Sequence, residues 1–181
     1  MTDRDRDAAV AGGAVYWYRH TPANPLLKNH KPGETTLNPY LRIDKEGVTI
    51  VTPHADVGQG AYSVQAALVA EELDLAWEAI RIEPAPASGA YYNTEVVAET
   101  LPIASTSGEL LTEVAHVIGN AAAKFMELQI TGGSSTVPDA YERLRYAGAT
   151  AREMLLLAAA QKTDVPRAQL RTRDGVVVTP D

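Results

Sequence analysis

A glutamine between two glycines, Gly58-Gln59-Gly60, combines residue types that suit ligand binding. Glycine, which has no Cβ, lets the backbone approach a ligand closely, and the glutamine adds a neutral amide that donates hydrogen bonds. The tripeptide lies between a β-branched run, residues 48–52, and an alanine- and leucine-rich run, so we expect a turn from a strand into a helix. The amides that open a helix favour anions, so this turn suits a phosphate or an oxo group. A plain strand-to-helix turn without a ligand is the alternative.

A second stretch of small and hydroxyl-bearing residues, Thr131-Gly132-Gly133-Ser134, precedes another helical pattern. We expect Thr136 to cap that helix, with Asp139 three positions further on in a capping-box arrangement. Backbone amides and hydroxyl groups at such a turn bind a pyrophosphate or an oxo group without a basic residue. The four residues are therefore candidates for contact with a phosphate-bearing ligand.

The composition excludes several classes of protein. The 181 residues carry a net charge of -7, and the 16 lysines and arginines form no cluster, which argues against a nucleic-acid partner. Cysteine is absent, which excludes disulfides, zinc–thiolate sites, iron–sulfur ligation and thiol nucleophiles within this chain. His116 lies off the apolar stripe of its predicted helix, so we expect a surface histidine that binds no metal.

Hydrophobic periodicity predicts an α+β fold, with a small mixed sheet and packed helices. In chain order the predicted elements are a hairpin over residues 41–52, a helix over 61–75, a strand over 79–83, a helix over 106–128 opened by a capping box at Thr106, a helix from 136 onward, and a hairpin around Asp174-Gly175. The small residues of the last helix, such as Gly148, predict that it is buried against the sheet or a sister helix. Residues 84–105 form a long connection, which in a compact domain is functional or mobile.

The start of the chain differs in character from the rest. Prolines between His20 and Pro39 predict an irregular surface arm, so we divide the chain into an N-terminal arm, 1–38, and one domain, 39–181. Residues 8–17 are apolar or small over the length of a signal-peptide core, although the preceding residues mix acidic and basic charges. This segment is either the remnant of an export signal or anchor, or a short amphipathic helix.

Further stretches accompany the two glycine-bearing turns in a specific order. They are residues 24–27 (NPLL), 37–40 (LNPY), 53–62 (PHADVGQGAY), 68–74 (LVAEELD), 83–86 (EPAP), 131–136 (TGGSST) and 144–155 (LRYAGATAREML). As an ordered set they resemble the molybdenum-cofactor-binding large subunit of the xanthine dehydrogenase and aldehyde oxidase family, in its isoquinoline 1-oxidoreductase beta-subunit branch. The likeness covers nearly everything from about Asn24 onward and corresponds to the N-terminal part of such a subunit.

The resemblance implies the cofactor-binding portion of a hydroxylase that oxidises aldehydes or N-heterocycles with water-derived oxygen. In the family the glutamine donates to an oxo ligand on molybdenum, and the glycine- and hydroxyl-rich turn lies beside the pterin, here in the cytosine dinucleotide form of molybdopterin. No direct metal ligand is implied in this chain. The implied cofactor-binding residues are Gly58, Gln59, Gly60, Thr131, Gly132, Gly133 and Ser134.

The family also implies partners and a location. Electrons leave through a separate 2Fe–2S small subunit, which fits the absence of cysteine here. Family subunits are several times longer and carry an essential glutamate near the far C-terminus, which no residue here matches. We therefore expect no catalytic residue in this chain, assembly with the rest of the large subunit, and no activity of the chain alone. Because branch members are often exported, we expect a periplasmic or membrane-associated protein, with a cytoplasmic one as the alternative.

Two other classes of function compete with this hypothesis. One is a non-catalytic assembly or interaction module that keeps the family fold without the cofactor, and the presence of Gln59 counts against it. The other is a generic phosphate-binding domain. Neither glycine-bearing stretch has the spacing of a Walker or Rossmann motif, which disfavours that class.

Overall fold

The computed structural model describes residues 22–96 and 109–180. The apolar segment near Ala8 and the predicted capping box at Thr106 lie outside these residues. The described residues form an α+β fold with a small mixed sheet, as predicted. Their strands and helices are β1 (Thr35–Asn38), β2 (Leu41–Asp44), β3 (Gly47–Thr52), α1 (Ala61–Leu73), β4 (Ile80–Pro84), α2 (Glu109–Met126), α3 (Thr136–Thr163), β5 (Arg171–Arg173) and β6 (Val176–Val178).

The strands β1 to β4 form one sheet in the order of the chain. β1, β2 and β3 pair antiparallel, and Ile43 lies opposite Val48 beside the tight β2–β3 turn. β4 pairs parallel with β3 and places Ile82 opposite Ile50. A parallel pair requires a crossover connection, which α1 provides, so β3, α1 and β4 form a βαβ unit. The loop from β3 into α1 therefore leaves the carboxyl end of a parallel strand.

Helices α1 and α3 pack closely because α3 has small residues where the two helices meet. Leu144 and Ala151 of α3 are fully buried, as is Val69 of α1. A Cβ placed on Gly148 would lie 2.8 Å from the carbonyl oxygen of Val69 and 2.8 Å from the Cβ of Glu72. The two backbones approach closely only because this position has no side chain. The predicted burial of the slim face of α3 against a sister helix is confirmed.

Two predicted apolar faces are less buried than their periodicity indicates. On α3, Leu155 and Ala158 are exposed. On α2, Val114, Ile118 and Phe125 keep between 47% and 64% of their accessible surface. A helical apolar period marks a face that is suited to burial, and it does not by itself supply the neighbour that buries it. The apolar stripe of α2 is thus exposed at these three residues.

A second hairpin, formed by β5 and β6, follows α3. Asp174 and Gly175 connect the strands with φ angles of 48° and 77°, the paired positive values that a two-residue type I′ turn needs. The hairpin prediction at Asp174-Gly175 is confirmed. The tip also meets the end of α1, where the Gly175 N–H donates to the carbonyl oxygen of Asp74 at 2.6 Å.

The prediction of an irregular arm from His20 to Pro39 is wrong in part. Pro25–Asn29 form a 3-10 helix, in which Leu26 is buried, and residues 35–38 form strand β1. β1 is one of the two edge strands of the sheet, and an edge strand tolerates nearby prolines because one of its sides needs no hydrogen-bond ladder. The prolines therefore break helices here without excluding a strand. The division into an arm, 1–38, and a domain, 39–181, stays a prediction.

The described residues divide into two compact units. The sheet unit comprises residues 26–85 and 140–180, and the connection unit comprises residues 22–25, 86–96 and 109–139. The division falls inside α3, between Asp139 and Ala140. Within residues 22–96 and 109–180, no helix is both long enough and apolar enough to cross a membrane.

Candidate functional site

The Gly58-Gln59-Gly60 turn lies between β3 and α1 in the sheet unit, as predicted. Gly58 and Gly60 have φ angles of 105° and 82°, in the region that favours glycine. Nothing lies within 4 Å of a Cβ built on either residue, so backbone conformation and not space selects glycine here. Gly60 occupies the N-cap position of α1, where it has no side chain to accept a hydrogen bond. The cap of α1 must therefore come from elsewhere in the loop.

The carboxylate of Asp56 supplies that cap. Its oxygens accept hydrogen bonds from the N–H of Gly58 at 2.7 Å and from the N–H of Tyr62, in the first turn of α1, at 2.9 Å. These bonds, that from Tyr62 foremost, hold the pKa of Asp56 below its ordinary value. A negative group of the chain itself thus occupies the helix start where the sequence suggested a bound anion. Sequence analysis missed Asp56, although an acidic residue shortly before a helix is a recognised signal.

The side chain of Gln59 is exposed and folds back on its own loop. Its Oε1 accepts from the N–H of Val57 at 2.6 Å, and its Nε2 donates to the carbonyl oxygen of Ala55 at 2.9 Å. Both bonds lie at the exposed tip of the loop, so breaking them leaves no buried polar group unpaired. The predicted donation of Gln59 to an oxo group stays a prediction.

Gln65, on the buried face of α1, ties the beginning of the loop to the helix. Its Oε1 accepts from the N–H of His54 at 2.9 Å, and its Nε2 donates to the carbonyl oxygens of His54 and Ala61 at 3.1 and 2.8 Å. Gln65 is fully buried and His54 almost so. Buried backbone groups of a loop need partners, and this side chain provides them. Sequence analysis missed Gln65 because a polar residue on an apolar helix face only interrupts the hydrophobic periodicity. The periodicity does not indicate which groups that residue binds.

The Thr131-Gly132-Gly133-Ser134 turn lies in the connection unit, and the last three of its residues are exposed. Gly133 and Ser134 have φ angles of 59° and 57°, and a serine in this region is uncommon. The turn closes where Ser135 donates to the carbonyl oxygen of Gly132, from its N–H at 3.1 Å and from its hydroxyl at 2.6 Å. The two glycine-bearing turns thus belong to different units, and the structure describes each by itself.

The predicted cap of α3 is shifted by one residue. The carbonyl oxygen of Ser135 accepts the N–H of Asp139 at 3.0 Å, which makes Ser135 and not Thr136 the N-cap. The Asp139 carboxylate accepts from the N–H and the hydroxyl of Thr94 at 2.9 and 2.7 Å. The capping box between Thr136 and Asp139 is therefore wrong, because Asp139 serves the preceding connection.

Asn93 fixes the second turn from the interior and is fully buried. Its Nδ2 donates to the carbonyl oxygen of Ile130 at 2.9 Å and to the hydroxyl of Ser135 at 2.8 Å. Its N–H donates to the carbonyl oxygen of Leu128 at 2.8 Å. Asn93 thereby holds both ends of the Thr131–Ser134 segment. Sequence analysis placed Asn93 only within the long connection of residues 84–105, since no periodic pattern relates it to residues some 40 positions later.

A further polar cluster of the sheet unit contains none of the predicted cofactor-binding residues. Glu72 binds the guanidinium of Arg145 at 2.6 Å beside the ring of Tyr141, in a shallow cavity of about 270 Å³. None of the predicted cofactor-binding residues lines this cavity. Among residues 22–96 and 109–180, no three His, Asp or Glu side chains converge as a metal site would require. The side chain of His116 lies outside the described part of the chain, so its predicted surface position stays a prediction.

The fold and the site define a class of protein. It is an α+β segment with a candidate ligand-binding turn at the carboxyl end of a parallel strand. Ligands of open α/β sheets bind at such ends. No family model matches the chain. Over 123 residues, 68% of its length, the chain is 32% identical to isoquinoline 1-oxidoreductase subunit beta of Brevundimonas diminuta.

The similarity to that subunit is partial, since the match spans 12% of the length of this curated relative. It confirms the resemblance to the isoquinoline 1-oxidoreductase beta subunit that the ordered motifs carried. The chain is thus related to a part of an oxidoreductase subunit, and that relative is one subunit of a larger enzyme.

Proposed function

We propose that the chain is the cofactor-binding portion of a molybdenum hydroxylase that oxidises aldehydes or N-heterocycles with water-derived oxygen. The observation that carries the proposal is the Gly58-Gln59-Gly60 turn, which lies at the carboxyl end of β3 with an exposed amide side chain. The similarity to isoquinoline 1-oxidoreductase subunit beta supports it. Because the match covers a small part of that relative, the activity belongs to a larger assembly, and this chain alone is inactive.

The donors of the first turn fit an oxo group better than a phosphate. The amides of Gly58 and Tyr62 already bind the Asp56 carboxylate, whose negative charge would repel a free anion. The Gln59 amide is neutral, exposed and free to exchange its weak surface hydrogen bonds. In the proposed assembly Gln59 donates one hydrogen bond to an oxo group of the cofactor, and Gly58 and Gly60 give the backbone geometry that presents it.

The second turn fits the nucleotide-bearing part of molybdopterin, proposed here in its cytosine dinucleotide form. Gly132, Gly133 and Ser134 are exposed, and a Cβ on Gly132 would meet nothing within 4 Å, so a ligand can lie against this backbone. The hydroxyls of Thr131 and Ser134 would donate to phosphate oxygens. The cofactor, when bound, supplies the oxygen-transfer and electron-accepting chemistry. The protein residues position it.

The partners of the proposed enzyme are the rest of the large subunit and a 2Fe–2S small subunit that accepts the electrons. The absence of cysteine from the chain fits an iron–sulfur centre held by another polypeptide. A periplasmic or membrane-associated location is part of the same proposal. The substrate is a small aldehyde or N-heterocycle.

The experiment is the substitution Gln59→Ala in the complete enzyme, with Gln161→Ala as a matched control. Gln161 is an exposed glutamine near the C-terminal end of α3. Loss of one preorganised donor to a charged centre lowers turnover on the order of a hundredfold. Loss of two exposed hydrogen bonds lowers stability by at most about 1 kcal/mol. Turnover, molybdenum content and melting temperature are measured together.

A non-catalytic assembly module is the competing function, and one observation favours it. Every polar end of the Gln59 side chain already has a partner within its own loop, as expected for a turn that serves no ligand. That function predicts wild-type turnover and wild-type metal content for Gln59→Ala. Such a result would remove Gln59 from the site and leave the relationship to the oxidoreductase subunit as one of fold and ancestry.

A further inference from the structure

Asp56, four residues before the N-cap Gly60, closes the loop around Gln59. An ordinary cap comes from the N-cap residue itself, which here is Gly60 and has no side chain to offer. One oxygen of Asp56 accepts from Gly58, before Gln59, and the other accepts from Tyr62, after it. The backbone on both sides of Gln59 is thereby tied to a single carboxylate.

We propose that Asp56 is the positioning residue of Gln59 and determines which ligand the turn accepts. Its carboxylate takes the amides that a free anion would bind and leaves the neutral Gln59 amide as the donor that meets a ligand. The inference rests on the proposed function for the identity of that ligand, an oxo group. It goes beyond that function because it assigns a role to a residue that never touches the cofactor.

Separate hydrogen bonds of the loop serve the ligand-binding role of Gln59 and the positioning role of Asp56. Gln59 bonds to Ala55 and Val57, which lie on the strand side of the turn. Asp56 bonds to Gly58 and Tyr62. The two sets share no donor and no acceptor, so the Gln59 amide exchanges Ala55 for a ligand while the Asp56 bonds remain intact. The backbone therefore keeps both glycines at positive φ during the exchange.

A double-mutant cycle in the complete enzyme tests the proposal. Asp56→Ala lowers kcat by about ten- to a hundredfold, the effect of removing a group that orients a ligand donor. Because Asp56 acts through Gln59, the double variant Asp56→Ala/Gln59→Ala loses no more turnover than Gln59→Ala alone. Asp56→Asn, whose carbonyl oxygen keeps one of the two amide bonds, recovers part of the loss. Glu71→Ala, at an exposed acid on α1, is the matched control with wild-type turnover.

A measurement independent of activity uses the 181-residue chain in solution. Two-dimensional NMR follows the side-chain amide of Gln59 and the backbone amides of Gly58 and Tyr62. Asp56→Ala shifts all three, whereas Glu71→Ala shifts none. Titration of the unsubstituted chain with inorganic phosphate leaves the Gly58 and Tyr62 amides unshifted, and saturable phosphate binding at these amides would overturn the proposal.

The outcomes separate the two proposals. If Gln59→Ala keeps wild-type turnover, the proposed function fails. If Gln59→Ala loses turnover and Asp56→Ala keeps it, only the positioning role fails. If Asp56→Ala does not fold, Asp56→Asn decides: the proposal requires a several-fold loss of kcat with a shifted Gln59 side-chain amide, and wild-type values for both overturn it.

Discussion

Gly60 and Gly132 are both exposed at the candidate turns, but only one of them has a backbone conformation that requires glycine. Gly60 has a φ of 82°, whereas Gly132 has no positive φ, and neither would bring a Cβ within 4 Å of another group. Gly60→Ala places an alanine in the left-handed region and lowers the free energy of unfolding by about 1 kcal/mol. Gly132→Ala restricts only the unfolded chain and raises that free energy by about 0.4–1 kcal/mol. Urea unfolding, followed by amide signals of the unit that carries each substitution, measures both changes.

Opposite signs for the two variants are the informative result. A destabilising Gly132→Ala would show that this turn requires glycine for its own folding and would weaken its assignment as a surface kept open for a ligand. A neutral Gly60→Ala would contradict the left-handed conformation at the start of α1.

The sequence predicted the residues of the turns better than the residues that fix them. Glycines at a strand-to-helix junction carry a conformational signal that is readable without a structure, and Gly58 and Gly60 are where that signal places them. Asp56, Gln65 and Asn93 act through bonds to backbone atoms, and any residue offers such atoms. The identity of a polar residue therefore shows that it can form hydrogen bonds, but it does not show which backbone atoms it binds. The error at Thr136 has the same origin, since two adjacent hydroxyl residues compete for one cap.

At the scale of elements, the contact between α1 and α3 depends on Gly148. Gly148→Ala improves the intrinsic helix propensity of α3 by up to about 1 kcal/mol. The added Cβ, however, would lie 2.8 Å from the Val69 carbonyl oxygen, and backbone atoms cannot move aside cheaply. Overpacking costs typically 1–3 kcal/mol, so the net effect is destabilisation by about 1–2 kcal/mol. Thermal or urea unfolding measures it.

Thr150→Ala is the control for that substitution. Thr150 is exposed on the same helix, so the change improves helix propensity and adds no contact. We expect a gain of a few tenths of a kcal/mol. If Gly148→Ala stabilised the protein as Thr150→Ala does, the close approach of the two helices would be refuted.

Hydrophobic periodicity predicted the types of the elements, but it did not predict their ends or the edge strand β1. α1 ends at Leu73 rather than residue 75, because Asp74 takes a φ of 57° and caps the helix. β4 begins one residue later than predicted, after a 3-10 turn at Trp77–Ala79. β1 was missed because four residues among prolines contain too little alternation to indicate a strand. Pairing with β2, a tertiary contact, is what makes this segment a strand.

For the molecule as a whole, the lowered pKa values of three carboxyl groups make the sheet unit sensitive to acid. Hydrogen bonds from Arg81 lower the pKa of Asp44, those from Tyr62 lower that of Asp56, and those from Arg167 lower that of Glu153. A carboxyl group with a lowered pKa in the folded state stabilises the fold fully above its ordinary pKa. That contribution is lost as the pH falls through the lowered value.

The urea midpoint of the sheet unit is therefore expected to be constant from about pH 7 to about pH 5 and to fall below about pH 4. Asp44→Asn removes one of the three titrating groups and flattens the decline. A midpoint that rises on acidification would contradict these ion pairs and caps. The ordinary pKa values involved are 3.8 for the aspartates and 4.5 for Glu153.

The bond between the Gly175 N–H and the Asp74 carbonyl oxygen has a consequence for how the protein is made. It joins the end of an early helix to a hairpin roughly one hundred residues later. A ribosome adds about 5–20 residues per second, so α1 leaves the exit tunnel on the order of 5–20 s before its C-terminal partner exists. During that interval the carbonyl oxygen of Asp74, at the C-cap of α1, lacks its Gly175 donor. The sheet unit therefore completes its folding only when the β5–β6 hairpin has emerged.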